Sequence, residues 1–280
     1  MADRRHREGI VVRGLTMTYE RRGITTTAVA DCDLVVPKGS WASLLGPSGC
    51  GKSTLLKILA DIVKPTGGLV TMDELTPAEA RAARIFALVS QQSTMLPWRR
   101  LAENVELGLE LAGIPKRERR ARAREAIELV GLSGFEKAYP HELSGGMRQR
   151  AAIARALTLR PRFLLMDEPF GALDEITRER LNFELIQILE ESGATLLLVT
   201  HSVSEAVILS DQVAVMSPRP GRIVHLASLP FGHHRTPALR DDPRFAAAER
   251  ELRRALGNGH EVPPVRIAPE PEPDPALLAG

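Results

Sequence analysis

Two short stretches of this chain, 163–166 (FLLM) and 195–200 (TLLLVT), are apolar without alternation and are bounded by turn residues. A strand with one wet face alternates polar and apolar residues, so an unbroken run points to a strand covered on both sides. Burial on both sides is the mark of a parallel sheet with helices packed over it. The helix-periodic stretch 174–191 between the two runs supplies the crossover of a β-α-β unit. A further strand is expected at 212–216 (QVAVM), after a helix over 202–210. Upstream, 10–15 (IVVRGL), 27–36 (TAVADCDLVV) and 40–45 (SWASLL) read as strands, broken by Pro37 and Gly39. The fold class is therefore α/β. The stretch 103–158 is helical in pattern almost throughout, with breaks at 113–115 and 131–144, and predicts a helical insertion near 92–158. At 280 residues and 44% hydrophobic, the chain buries one sizeable core with room for a smaller second lobe.

The segment 44–59 (LLGPSGCGKSTLLKIL) carries the most specific chemistry. Gly46, Pro47, Ser48, Gly49, Cys50, Gly51, Lys52 and Ser53 fit the pattern G-x-x-x-x-G-K-[ST], the P-loop. Glycines let the backbone curl tightly and turn its N–H groups toward phosphate oxygens. The helix expected over 52–60 aims its unpaired first-turn amides, Thr54 included, at the same oxygens. Lys52 adds a full positive charge at the β/γ end of a polyphosphate, and the Ser53 hydroxyl is a Mg²⁺ ligand. A glycine-rich turn before a helix is the bland alternative. The preceding strand and the apolar helix that follows are the context a phosphate loop requires.

Such a loop needs a magnesium carboxylate on a neighbouring strand, and 161–169 (PRFLLMDEP) offers one. Four apolar residues lead to Asp167 and Glu168, and Pro169 ends the strand. Asp167 is the expected Mg²⁺ ligand, and Glu168 is placed to take a proton from an attacking water.

Composition narrows the setting. A net charge of +2 gives no bulk electrostatic reason to bind nucleic acid or a membrane. The basic run 115–125 (PKRERRARARE) alternates with Glu and Ala and reads as a solvated helix face. Cys32 and Cys50 lack metal-ligand spacing and suggest a reducing compartment. The N-terminus lacks the apolar core of a signal peptide, and no apolar run approaches the roughly 18 residues of a membrane span. Near the C-terminus, 240–256 (RDDPRFAAAERELRRAL) predicts an amphipathic helix over about 243–256. The last stretch, 257–280, has six prolines, four acidic residues and no periodicity, and is expected to be disordered.

A second Gly-rich helix start stands at Leu143-Ser144-Gly145-Gly146-Met147-Arg148-Gln149-Arg150. Its hydroxyl, open backbone and helix N-terminus make another anion site. This stretch resembles the LSGGQ signature of ABC ATPases, with Met147 before Arg148-Gln149, and the other motifs fall in that family's order over roughly 8–230. The resemblance implies a P-loop NTPase (RecA-like) core with an antiparallel β subdomain and the ABC helical subdomain over about 92–158. An extension, 231–280, would follow. Tyr19 looks like the aromatic that stacks on adenine. Gln91 looks like the Q-loop glutamine that contacts Mg²⁺ and water, with Gln92 as its neighbouring rival. Gly171-Ala172-Leu173-Asp174 looks like the D-loop, and His201 like the histidine that touches the γ-phosphate.

The resemblance further implies a head-to-tail homodimer, each ATP lying between one copy's P-loop and the other's Ser144-Gly145-Gly146. The stretches 95–105 (MLPWRRLAENV), 169–174 (PFGALD) and 217–223 (SPRPGRI) resemble nitrate/sulfonate/taurine-type importer ATPases. Such a subunit would sit peripherally on the cytoplasmic face of the membrane, bound to an integral membrane permease. A periplasmic or extracellular binding protein would deliver the small solute. Met95-Leu96-Pro97-Trp98 either receives a permease helix or packs under the helical lobe. Departures are Ser90 before Gln91, Asp73-Glu74 at a turn that usually carries Gly, Asp61 where Gly is commoner, and Ser202 after His201. The last resembles importers of pyrimidine-like solutes. The rival reading is a soluble ABC ATPase acting on nucleic acid or the ribosome. Such chains typically carry a second cassette, a coiled coil, zinc sites or basic arms, none of which is seen here.

Overall fold

The computed structural model describes residues 8–171 and 173–257. Its N-terminal part is a long antiparallel hairpin of β1 (Glu8–Arg21) and β2 (Ile24–Pro37), with β4 (Gly67–Met72) on the other edge of β1. The hairpin turns on Arg22 (φ 53°) and Gly23 (φ 76°), the positive pair that suits a tight two-residue connection. The remaining strands form a six-stranded sheet: β3 (Trp41–Leu45), β5 (Phe86–Val89), β6 (Phe163–Asp167), β7 (Thr195–Thr200), β8 (Gln212–Met216) and β9 (Ile223–Ser228). Its order is β5-β6-β7-β3-β8-β9, parallel except for the antiparallel edge strand β9.

The unbroken apolar runs behave as their pattern demands. Every residue of β7 is buried. Leu196 and Leu198 enter one apolar cluster together with Leu164 and Met166 of β6. Their alternates Leu197, Val199, Phe163 and Leu165 enter a second cluster on the opposite face. The first cluster is covered by α3 (Leu101–Leu111), α4 (Lys116–Leu129), α5 (Gly145–Leu157) and α6 (Glu175–Ser192). The second lies beneath α1 (Lys52–Leu59) and the small sheet. The short α2 (Pro77–Ala82) starts on a capping box in which Thr76 and Glu79 satisfy each other's backbone amides.

Strands β4, β5 and β9 were not among those expected from pattern, and β1 and β2 run well beyond the windows read. The expected helix at 52–60 is α1, and that at 202–210 is α7 (Val203–Leu209). A last helix, α8 (Pro243–Gly257), buries Phe245, Ala248 and Leu252 against the first cluster. The stretch 258–280, with most of the tail expected to be disordered, lies outside the described residues, as does Ala172. No helix among the described residues is long and apolar enough to cross a membrane.

Two turns where glycine is more usual acquire a physical account. Asp61 (φ 55°) and, in the Asp73-Glu74 turn, both Asp73 (φ 54°) and Glu74 (φ 67°) occupy the left-handed region that glycine prefers, and the two aspartates are tied down by ion pairs. Each is held there by two cations: Asp61 by Lys64 at 2.5 Å and Arg81 at 2.8 Å, Asp73 by Lys38 and, at 2.6 Å, Arg162.

Between the small sheet and the loop after β3, Gly221 is wedged tightly. Its N–H donates to the Ala28 carbonyl and its own carbonyl accepts from Ala30, each at 3.0 Å. A Cβ there would lie 1.8 Å from the Cys50 carbonyl oxygen. Gly221→Ala should therefore cost about 1–3 kcal/mol or more through overpacking, read as a lowered midpoint in chemical denaturation.

Candidate functional site

Sheet register gathers the site. Leu45 of β3 pairs with Thr200 of β7, Asp167 of β6 with Val199, and Val89 of β5 with Met166. The residues that follow these strand ends, Gly46, Gln91, Glu168 and His201, thus share the carboxyl edge of the parallel sheet, where open α/β sheets bind ligands.

The loop after β3 requires glycine at particular places. Gly51 has φ 111°, and a Cβ on it would meet Val29 Cγ2 at 2.7 Å and the Ala28 carbonyl at 2.8 Å. A Cβ on Gly46 would stand 2.9 Å from both Cys50 Sγ and the Met216 carbonyl. No side chain caps α1 at Gly51, which leaves the first-turn amides of the helix for a ligand. Lys52 is buried, its Nζ donating to the carbonyls of Gly46 at 2.7 Å and Pro47 at 3.0 Å. Cys50 faces inward, so it contributes backbone to the loop and its thiol packs in the core.

Ser53 Oγ donates to Asp167 Oδ1 at 2.9 Å, uniting the loop with β6. Burial pushes the Asp167 carboxyl up from its ordinary value, the Ser53 hydrogen bond opposes that, and the neighbouring Glu168 charge adds to it. Glu168 itself sits at φ 46°, a strained backbone for a non-glycine residue, with its N–H bonded to the Val199 carbonyl at 2.9 Å. That conformation turns its carboxylate between two other candidates. Gln91 Nε2 donates to Glu168 Oε2 at 3.3 Å, and His201 Nδ1 lies 3.3 Å from the same oxygen.

A cavity of about 830 Å³ opens here, lined among others by Tyr19, Lys52, Ser53, Thr54, Gln91 and Glu168. Tyr19, 39% exposed, reaches it from β1. Ser48 and Gly49 also line it. The structure does not bring Ser144, Gly145 and Gly146 to this cavity within one chain. Ser144 Oγ caps α5, accepting from the Met147 amide at 3.2 Å, while Ser144 and Gly145 face solvent.

Residues the motifs passed over line the same space. Arg21, Arg22 and Ile24 come from the hairpin tip, and Arg219 donates to the Gly49 carbonyl at 3.2 Å. Arg219 lies in 217–223, and its signal in the sequence is a cation beside a glycine turn. Glu205, fully buried, bonds the Thr200 hydroxyl beneath His201, and burial pushes its carboxyl up.

A phosphate loop on a parallel sheet edge, a buried lysine and paired acids on the neighbouring strand define a nucleotide-hydrolysing cassette. The family described as ABC transporter matches residues 29–171. The chain belongs to that family, as one of its ATP-hydrolysing cassettes. It is 42% identical over 246 residues to a taurine import ATP-binding protein, TauB, of Yersinia pestis, spanning 86% of this chain and 94% of that one. It is 44% identical over 249 residues to a protein of the same name from Rhizobium johnstonii, with the same coverage. The ATP-binding cassette MJ0796, solved as a dimer in a post-hydrolysis state with ADP and phosphate, is similar in structure. The TM-score is 0.70 at 32% identity, over 79% of this chain and 99% of that one.

Gly51→Ala tests the loop directly. The strained φ and the clash with Ala28 should weaken ATP binding by about tenfold or more, measured by titration with a fluorescent ATP analogue, while far-UV dichroism is retained.

Proposed function

We propose that this chain is the ATP-hydrolysing subunit of an importer, working as a head-to-tail homodimer on a membrane permease. The observation that carries the reading is Glu168, whose one carboxylate oxygen lies 3.3 Å from both Gln91 and His201 beside the Ser53–Asp167 pair. Loop amides from Gly46 to Thr54 and the Lys52 ammonium hold the triphosphate, and Tyr19 stacks on the adenine. Ser53, Asp167 and Gln91 are suited to hold Mg²⁺, since two of their oxygens already meet at 2.9 Å and hard cations take oxygen ligands. Magnesium, when bound, neutralises phosphate charge. Glu168 takes the proton of the attacking water, Gln91 orients that water, and His201 donates to the γ-phosphate.

Ser144, Gly145 and Gly146 serve the partner's ATP. The exposure of Ser144 and Gly145 at the N-terminus of α5, away from this chain's own cavity, supports that role. The named function of the similar taurine import proteins supports uptake of a small solute, taurine-, sulfonate-, nitrate- or pyrimidine-like. In this reading a periplasmic or extracellular binding protein supplies the solute and the subunit lies on the cytoplasmic face of the membrane. The rival nucleic-acid role finds no support among these relatives.

Glu168→Gln keeps the shape and removes the base. Hydrolysis should fall by about 10² to 10⁴, as general-base loss dictates, while ATP still binds and drives pairing of two copies in size-exclusion chromatography. Hydrolysis close to that of the parent chain would end the assignment of Glu168.

A further inference from the structure

The helix that follows His201 is held at its far end by a side chain from outside the sheet. α7 (Val203–Leu209) has seven residues, about 10 Å, far too short to persist alone. Its start is fixed by local bonds. Ser202 caps it, accepting from the Glu205 amide at 3.3 Å, and the Ser202 amide donates to Thr200 Oγ1 at 3.0 Å. Its last carbonyls have no partners within the helix.

Arg235 supplies them. Its guanidinium is fully buried, and Nη1 donates to the carbonyls of Ile208 at 2.7 Å and Val207 at 3.3 Å. Nη2 donates to Asp211 Oδ1 at 2.8 Å. The other Asp211 oxygen accepts from the Trp41 amide at 2.8 Å and lies 2.9 Å from His233 Nε2. The His233 ring stacks on Trp41 at 4.1 Å. Arg240 adds a second hold, donating to Ser204 Oγ of α7 at 3.4 Å and to Glu179 of α6 at 2.8 Å. A cation at a helix C-terminus also complements the helix dipole. The segment from 231 to 241 thus locks α7 against the start of β3, which leads directly into the phosphate loop.

We infer that Arg235 is a positioning residue for hydrolysis: by fixing the carboxyl end of α7 it sets the direction in which His201 is presented at the amino end. A rigid seven-residue rod transmits a displacement at one end to the other, and the fork of guanidinium bonds defines that end in two directions at once. The inference rests on the reading of His201 as the γ-phosphate contact. It assigns the segment after β9 to the ATPase machinery.

The test is a mutant cycle in the full-length chain, with kcat and KM for MgATP and nucleotide affinity measured for each variant. Arg235→Lys keeps a charge beside Asp211 but loses the fork to Val207 and Ile208. Its kcat should fall about three- to tenfold, with KM and nucleotide affinity within about twofold, and the same change in a His201→Ala chain should cost nothing further. An unchanged kcat in Arg235→Lys overturns the inference. So does an equal fall with His201 already removed, since that loss would be structural. If Arg235→Lys does not fold, Arg240→Ala, at an exposed site, should give a smaller fall that likewise vanishes without His201. No fall, or one that persists without His201, overturns the inference. Near-parental hydrolysis by His201→Ala alone would overturn the reading of His201 itself, a result distinct from an inert Arg235.

Discussion

Lys52 is a buried ammonium whose hydrogen bonds go to the Gly46 and Pro47 carbonyls and, at 3.8 Å, to Cys50 Sγ. Taking a charge out of water is costly unless something of opposite sign compensates it. Around it, the amides at the start of α1 carry partial positive charge and no side-chain cap. The loop is therefore a concentration of positive potential made stable by the sheet beneath it, and a polyphosphate is the ligand that neutralises it. The tightly wedged glycines, the acids on β6 and the placement of His201 follow from building a protein around that potential.

The sheet makes the arrangement stiff. Strands β6 and β7 are buried on both faces, and alternate residues of each enter the two apolar clusters on opposite sides of the sheet. Displacing a strand end would disturb both clusters, so Asp167 and Glu168 stand on a support that resists deformation. The left-handed backbone at Glu168 is held within that support, anchored by the hydrogen bond its N–H donates to the Val199 carbonyl.

The other parts of the site are less deeply held. Gln91 and His201 are exposed, and each lies 3.3 Å from Glu168 Oε2. Ser144 lies at an exposed helix start, away from the cavity beside the phosphate loop. The buried Arg235 and its neighbours tie α7 to the sheet behind the exposed His201 side chain.

Local pattern alone determined a good deal. The apolar runs at 163–166 and 195–200 required a sheet covered on both sides, and the glycine spacing from 46 to 53 required a phosphate cradle, because each depends on neighbours along the chain. Strands β4, β5 and β9 escaped notice for the converse reason. β4 opens on two glycines, one of them at φ 89°, and β5 spans four residues; partners far away in sequence make them strands. Only the tertiary structure decided that β3 lies between β7 and β8, and hence that Gln91, Asp167, Glu168 and His201 reach one edge with Lys52. It alone placed Arg235 under α7 and Arg219 over the phosphate loop. Strand order and register are contacts between distant segments, and a window of sequence contains only one side of each.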